Sequence, residues 1–245
     1  MKNLTKIFMA VVAGMLAFAC TTDSTEDLGV QVGNGENGAT VELSLSLETS
    51  RTQLGEKVDG LYPLYWSEGD KISVNGIEYK IIKLLGKGKG GYSYLAEREG
   101  KQVVLKQIHH EPCDYYTFGN KIEAERNDYQ RLLNANIRIP KMLDIDMENE
   151  RLVKEYIDGD TIFDMVKNDV SVEPYMEQIR EMAETAKKSG LNIDYFPTNF
   201  VVQNGLIYYI DYECNEYMEE WSFENWGIKY WSKTPEFVEY ISKKD

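Results

Sequence analysis

Cysteine is scarce in this chain: Cys20, Cys113 and Cys214 are the only three in 245 residues. Cys20 belongs to an N-terminal leader pattern, and the two others lie far apart. They form no disulfide framework and read as reduced and inert. Basic charge is also in short supply. Lys and Arg number 27 against 41 Asp and Glu, for a formal net charge of −14. Residues 21–76 alone carry three basic and ten acidic side chains, and no basic block offsets the excess further on. Such a surface repels a phosphate backbone, so nucleic acid is not an expected partner. The two histidines stand side by side in His109-His110-Glu111-Pro112-Cys113. These are metal-binding residue types without a second cluster, so a loop before a helix is a more ordinary reading than a zinc site. Internal repeats are absent, and no apolar run has the length of a membrane-spanning helix.

The chain does carry a leader. Lys2 and Lys6 precede Ile7 to Ala19, an uncharged run of 13 residues. That is too short to cross a bilayer and suits the apolar part of a secretory signal. Ala17-Phe18-Ala19-Cys20 then resembles the lipobox of bacterial lipoproteins. The resemblance implies a lipid anchor at Cys20 and a cell-envelope location, the membrane being reached only through that anchor. An uncleaved anchor or a buried helix is the alternative. Thr21 to Ala39 is polar, acidic and glycine-rich, as a tether would be. Thr40 to Leu47 alternates apolar and polar residues like a half-buried strand. Arg51-Thr52 with Trp66-Ser67-Glu68-Gly69-Asp70-Lys71-Ile72 resembles the opening of fimbrillin-type surface lipoproteins. So short a segment buries little core alone and is expected to pack on the next domain or to stay loosely ordered. The expected organisation is residues 1–20 as signal, 21–76 as tether and small β-rich segment, and 77–245 as the main domain.

The main domain opens with two β-rich runs, Tyr79 to Leu85 and Tyr92 to Ala96, flanking Gly86-Lys87-Gly88-Lys89-Gly90-Gly91. Gly86, Gly88 and Gly91 fit the spacing G-x-G-x-x-G. A turn without side chains lets backbone N–H groups approach phosphate oxygens. In dinucleotide folds such glycines open a helix; here a second strand comes next, which points to a lid over phosphates. In the next strand, Gln102 to Ile108, period 2 puts Val104, Lys106 and Ile108 on one face. A lysine between apolar neighbours needs an anion, unless it snorkels to the edge. Lys121 to Asn134 reads as an amphipathic helix with Ile122, Tyr129, Leu132 and Leu133 on its stripe. Glu125 falls on that stripe too, three residues after Ile122 and four before Tyr129. Lys106 is its natural partner, with Lys121 and Arg126 as alternatives.

Pro174 to Ser189 reads as a helix closed by Gly190. Beyond it, Phe200 to Val202 and Leu206 to Ile210 flank Asn204-Gly205, a strong hairpin signal. Folding about that turn brings Asn199 opposite residue 210 or 211, so Asn199 and Asp211 meet at the mouth of the hairpin. A carboxylate beside an amide oxygen suits Mg²⁺, which takes few protein ligands. Asp194 enters the same mouth, placed to accept a proton from a substrate hydroxyl.

This ordered series resembles the protein-kinase superfamily. Lys106 and Glu125 are nineteen positions apart, as in that family's lysine–glutamate pair. Asp194-x-x-x-x-Asn199 followed by Asp211 is similar to its catalytic loop and metal-binding aspartate. Leu152-Val153-Lys154-Glu155-Tyr156-Ile157 looks like its hinge. The resemblance implies an α+β bilobal fold, with an N-lobe over 77–157 and a short C-lobe over 158–245. It implies ATP and Mg²⁺, with the backbone at Glu155 and Ile157 holding adenine and a protein or small-molecule hydroxyl as acceptor. Three residues depart from the pattern: Lys154 stands for an apolar gatekeeper, Asn192 for an organising histidine, and Asp211-Tyr212-Glu213 for Asp-Phe-Gly. Only 34 residues follow Asp211, and no Ala-Pro-Glu motif is present. The match is therefore to minimal members, such as Rio-type kinases and aminoglycoside or choline phosphotransferases. Trp221, Phe223, Trp226, Tyr230 and Trp231 could cage a quaternary ammonium, although such clusters are more often core. The rival expectation is an exported lipoprotein whose kinase-like domain binds nucleotide without turning it over.

Overall fold

The computed structural model describes residues 53–54, 64–111 and 119–243. The leader, the tether, the strand expected at Thr40 to Leu47 and Cys113 lie outside them. The described residues form an α+β arrangement of a curled antiparallel sheet and a few helices.

Two very short strands, β1 (Gln53–Leu54) and β2 (Leu64–Tyr65), pair with each other. The main sheet uses β3 (Lys71–Val74), β4 (Ile77–Lys87), β5 (Gly91–Arg98), β6 (Lys101–Ile108), β7 (Met142–Asp146) and β8 (Arg151–Glu155), in the order β3-β4-β5-β6-β8-β7. Tight turns set its register. Asn75-Gly76 joins β3 to β4 and Glu99-Gly100 joins β5 to β6, and all four residues have positive φ. That geometry matches the twist of the flanking strands. The boundary expected at residues 76 and 77 falls inside the first of these turns. Ile72 and Val74 alternate with exposed neighbours and pack on the same face as Tyr79 and Ile81, so the sheet starts at Lys71. Register shifts between Ile81 and Lys83 and between Leu84 and Gly86 interrupt the β4–β5 ladder, and bulges of this kind bend a sheet.

Helix α1 (Lys121–Asn134) follows β6 and starts where expected: the Asn120 side chain caps it by accepting from the Glu123 N–H. Its stripe is narrower than the sequence implied. Ile122 and Leu132 are buried and Tyr129 is half-buried, but Leu133 is exposed. Then come α2 (Ile162–Lys167) and α3 (Glu173–Lys188), the latter with proline in its first turn and Gly190 at φ +71° beyond its end. β9 (Leu191–Ile193) pairs with β12 (Cys214–Glu216), and between them lies the hairpin of β10 (Phe200–Gln203) and β11 (Leu206–Tyr209). Helix α4 (Pro235–Ser242) closes the described chain.

Two apolar clusters divide the core. One covers a single face of the sheet, with Tyr79, Ile81, Tyr94, Leu105 and Val153. The other runs from Ile108 and Leu152 through Ile122 and Leu132 to Ile179, Phe200 and Trp231. The lobe boundary expected between residues 157 and 158 does not interrupt it. Of the late aromatics, Phe223 and Trp231 are fully buried, whereas Trp221 is exposed. Cys214 is a free, buried thiol, pushed up to about 12 mainly by burial; it has little thiolate to offer. No helix among the described residues is long and apolar enough to cross a membrane.

Candidate functional site

The site is built around β6. Period 2 turns Lys106 inward beside Val104 and Ile108, and the side chain is 11% exposed. The Lys106 ammonium pairs with the Glu125 carboxylate, which α1 presents from its buried side. The Asp211 Oδ1 lies 4.0 Å away on the other side. Burial works against the charge on Lys106, but Glu125 and then Asp211 outweigh it and hold the lysine above its ordinary range. For Asp211, burial is likewise outweighed by Lys106 and Lys154, which pull its carboxyl below the usual carboxylate range. The alternative partners for Glu125 are engaged elsewhere. Lys121 donates to the carbonyls of Lys89 (3.2 Å) and His109 (2.6 Å), and Arg126 meets Glu123 at 3.3 Å.

The glycine-rich turn folds over this pair. The Gly88 carbonyl faces the His109 Nε2 at 2.9 Å, and the Lys89 ammonium reaches the Glu213 carboxylate at 2.8 Å. Burial is the main reason the His109 imidazole titrates below its ordinary range. The glycine nearest the ion pair is Gly90, where a Cβ would stand 3.6 Å from the Lys106 Nζ. Gly91 is required for packing, since a Cβ there would come within 2.4 Å of the Gln107 carbonyl oxygen. Gly86 lies within β4 and Gly88 beside the turn, both with room for a Cβ.

The hairpin has the register read from its turn. Asn204 and Gly205 have φ of 51° and 76°, and Phe200 pairs with Tyr209. One step beyond the ladder, the Ile210 N–H donates to the Asn199 carbonyl at 2.8 Å. Asn199 is thus fixed beside the residue that precedes Asp211. The Asn199 Nδ2 donates to the Asp194 carbonyl at 3.3 Å, and Asp194 accepts from the Phe196 N–H at 3.0 Å. Asp194 is open to solvent yet ringed by protein. That crowding raises its carboxyl above the ordinary range, and the nearby charge of Asp211 adds to it.

No family model matches this chain, and no curated protein does either. What the site can do has to come from its own residues. Among the described residues no group of three or more His, Cys, Asp or Glu side chains could hold a metal. A two-ligand Mg²⁺ site is a smaller demand, because that ion keeps most of its water and phosphate oxygens. Asp211 is ionised, and the amide of Asn199 turns its nitrogen toward Asp194, which leaves an oxygen as acceptor. The donor chemistry therefore fits. At the expected hinge, the Glu155 N–H already donates to the Lys141 carbonyl at 2.9 Å, so only its carbonyl could serve an adenine. Ile157 is buried.

Two contributors were not legible as such. Lys154 departs from the expected apolar gatekeeper, and the sequence does not say where its charge goes. In the structure it is buried, donates to the Ile210 carbonyl and lies 4.7 Å over the Tyr212 ring. Tyr209, a plain strand residue by pattern, carries a hydroxyl that touches two backbone segments of the site. A buried polar atom inside an alternating strand leaves no sequence signal beyond its residue type.

Proposed function

We propose that residues 71–243 form a protein-kinase-like domain that moves the γ-phosphoryl group of ATP to a hydroxyl of a protein or small-molecule acceptor. The observation that carries this reading is the position of Lys106 within reach of both Glu125 and Asp211, with the Asn199 amide donating to the Asp194 carbonyl and the Asp194 carboxyl within the influence of the Asp211 charge. In this reading Glu125 orients Lys106, and Lys106 with the strand ends and turn that carry Gly86, Gly88 and Gly91 faces the phosphates. Asn199 and Asp211 would hold Mg²⁺, which when bound neutralises charge on the transferring group. Asp194 takes the acceptor proton; its raised carboxyl is a better base than an ordinary aspartate. Glu155 and Ile157 border the adenine. Such a site works by positioning and electrostatics.

The test is Asp211→Ala. Mg-ATP should raise the melting temperature of the wild type and not of the variant, and labelled phosphate should pass from γ-labelled ATP to a lysate fraction only with the wild type. Equal ATP turnover by both proteins removes Asp211 from the chemistry. A second reading, a nucleotide-binding domain without turnover on an exported lipoprotein, is favoured by Lys154, whose buried charge lies near the same Asp211 that a cation would need. Mg²⁺-independent ATP binding with no transfer would support it.

A further inference from the structure

Asp194 and the segment from Asp211 to Glu213 arrive at the site on different stretches of chain; the β9–β12 ladder joins these stretches but ends at the pair Ile193 and Cys214, one residue short of Asp194 and Glu213, so the site ends need a further tie. Asn192, two residues before Asp194, does not supply it. Its Oδ1 accepts from the Met218 N–H at 2.8 Å, and its amide nitrogen is buried without a hydrogen-bond partner. The Tyr209 hydroxyl is placed differently. It donates to the Glu213 carbonyl at 2.7 Å and accepts from the Asp194 N–H at 3.3 Å. The residue is fully buried, its ring packs 5.3 Å from that of Phe200, and its own N–H donates to the Arg138 carbonyl at 2.9 Å. One oxygen, held by a strand on one side and by core on the other, therefore joins both segments.

We propose that Tyr209 is the positioning residue that sets the distance between Asp194 and the Asp211–Glu213 segment. It touches neither nucleotide nor acceptor and acts through the backbone of the residues that do. Its kinetic consequence rests on the phosphotransfer reading above; the mechanical link does not.

Tyr209→Phe in the full chain tests it, because the ring and its packing stay and only the hydroxyl goes. Amide exchange should quicken about tenfold in residues 191–195 and 211–216 together, the scale of one lost hydrogen bond, with exchange elsewhere unchanged. Unchanged exchange in either segment overturns the link whether or not the protein turns over. In an active protein, kcat should fall on the order of 10- to 100-fold as the base shifts, with KM for ATP nearly constant. Adding Tyr209→Phe to Asp194→Asn should then cost little more, since both act on one group. A full additive loss, or a loss of kcat matched by general loosening of exchange throughout the domain, would mark Tyr209 as ordinary core and overturn the proposal. If the wild type transfers no phosphate, the phosphotransfer reading fails, and the exchange result still decides the link.

Discussion

Strands β6 and β8 each bury a lysine on the same face of the sheet, and their surroundings differ. Lys106 has a carboxylate in direct contact and a second one 4.0 Å away. Lys154, diagonal to it across the ladder, has a backbone carbonyl and the face of Tyr212. Burial disfavours both charges. The first lysine is nevertheless held above its ordinary range, while the second drops to about 8, with Lys106 itself adding to the fall. Burial alone therefore does not set the charge of a lysine; the formal charge of its nearest partner does. The β6 side is arranged to keep a permanent cation, and the β8 side holds one that is easily lost.

The harshest way to break this contrast is to remove the carboxylate. Glu125→Leu leaves Lys106 buried with only Asp211 near it. Breaking a buried pair from one side typically costs 3–5 kcal/mol, so a loss of about 4 kcal/mol in urea unfolding at pH 7 is expected. The double variant Lys106→Met with Glu125→Leu should recover most of it, because no unpaired charge remains. A single variant as stable as wild type would mean that Asp211 alone suffices.

The β8 lysine makes a prediction of the opposite kind, read against pH. Its folded value of about 8 lies below the ordinary 10.5. Between those values the unfolded chain keeps a proton that the folded chain has released, so raising the pH through this window favours folding. Below pH 8 both states carry the charge, and the folded state bears the full cost of burying it. Relative to Lys154→Met, the wild type should therefore gain about 3 kcal/mol between pH 8 and 10.5. Parallel stability curves for the two proteins would show that Lys154 is not desolvated.

Local rules carried the sequence reading where the elements are strongly patterned. The ends of α1 and the hairpin at Asn204-Gly205 follow from helical periodicity and from a turn that needs positive φ at two positions. The pairing of Lys106 with Glu125 follows from combining periods 2 and 3.6. The same turn chemistry stands at Asn75-Gly76, where a change in composition near residue 77 obscured it and put a boundary inside a hairpin. β9 and β12 have three residues each, too few to express a period, and their pairing is set by tertiary packing. The glycine nearest Lys106 is Gly90, outside the G-x-G-x-x-G spacing, and the joining role of Tyr209 depends on where its hydroxyl ends up. Those are three-dimensional facts with no one-dimensional trace.

The gentlest test returns to the β6 side, at the glycine turn that covers it. Lys89 and Glu213 are both partly exposed, 36% and 29% by side chain, and their ion pair links the turn to the segment after Asp211. Exposed pairs contribute little, so Glu213→Gln should change global stability by less than about 1 kcal/mol. The local effect should be easier to see. The turn is also held by His109 at Gly88, by Lys121 at Lys89 and by the Lys87–Glu111 ion pair, and the link to residue 213 ties it to the hairpin side. Amide exchange over residues 86–91 should rise in Glu213→Gln at low salt, and wild type should approach the variant as salt screens the pair. Exchange that ignores both the substitution and the salt would mean that the turn stays closed without the Glu213 pair, and that the β6 site is covered independently of the segment carrying Asp211.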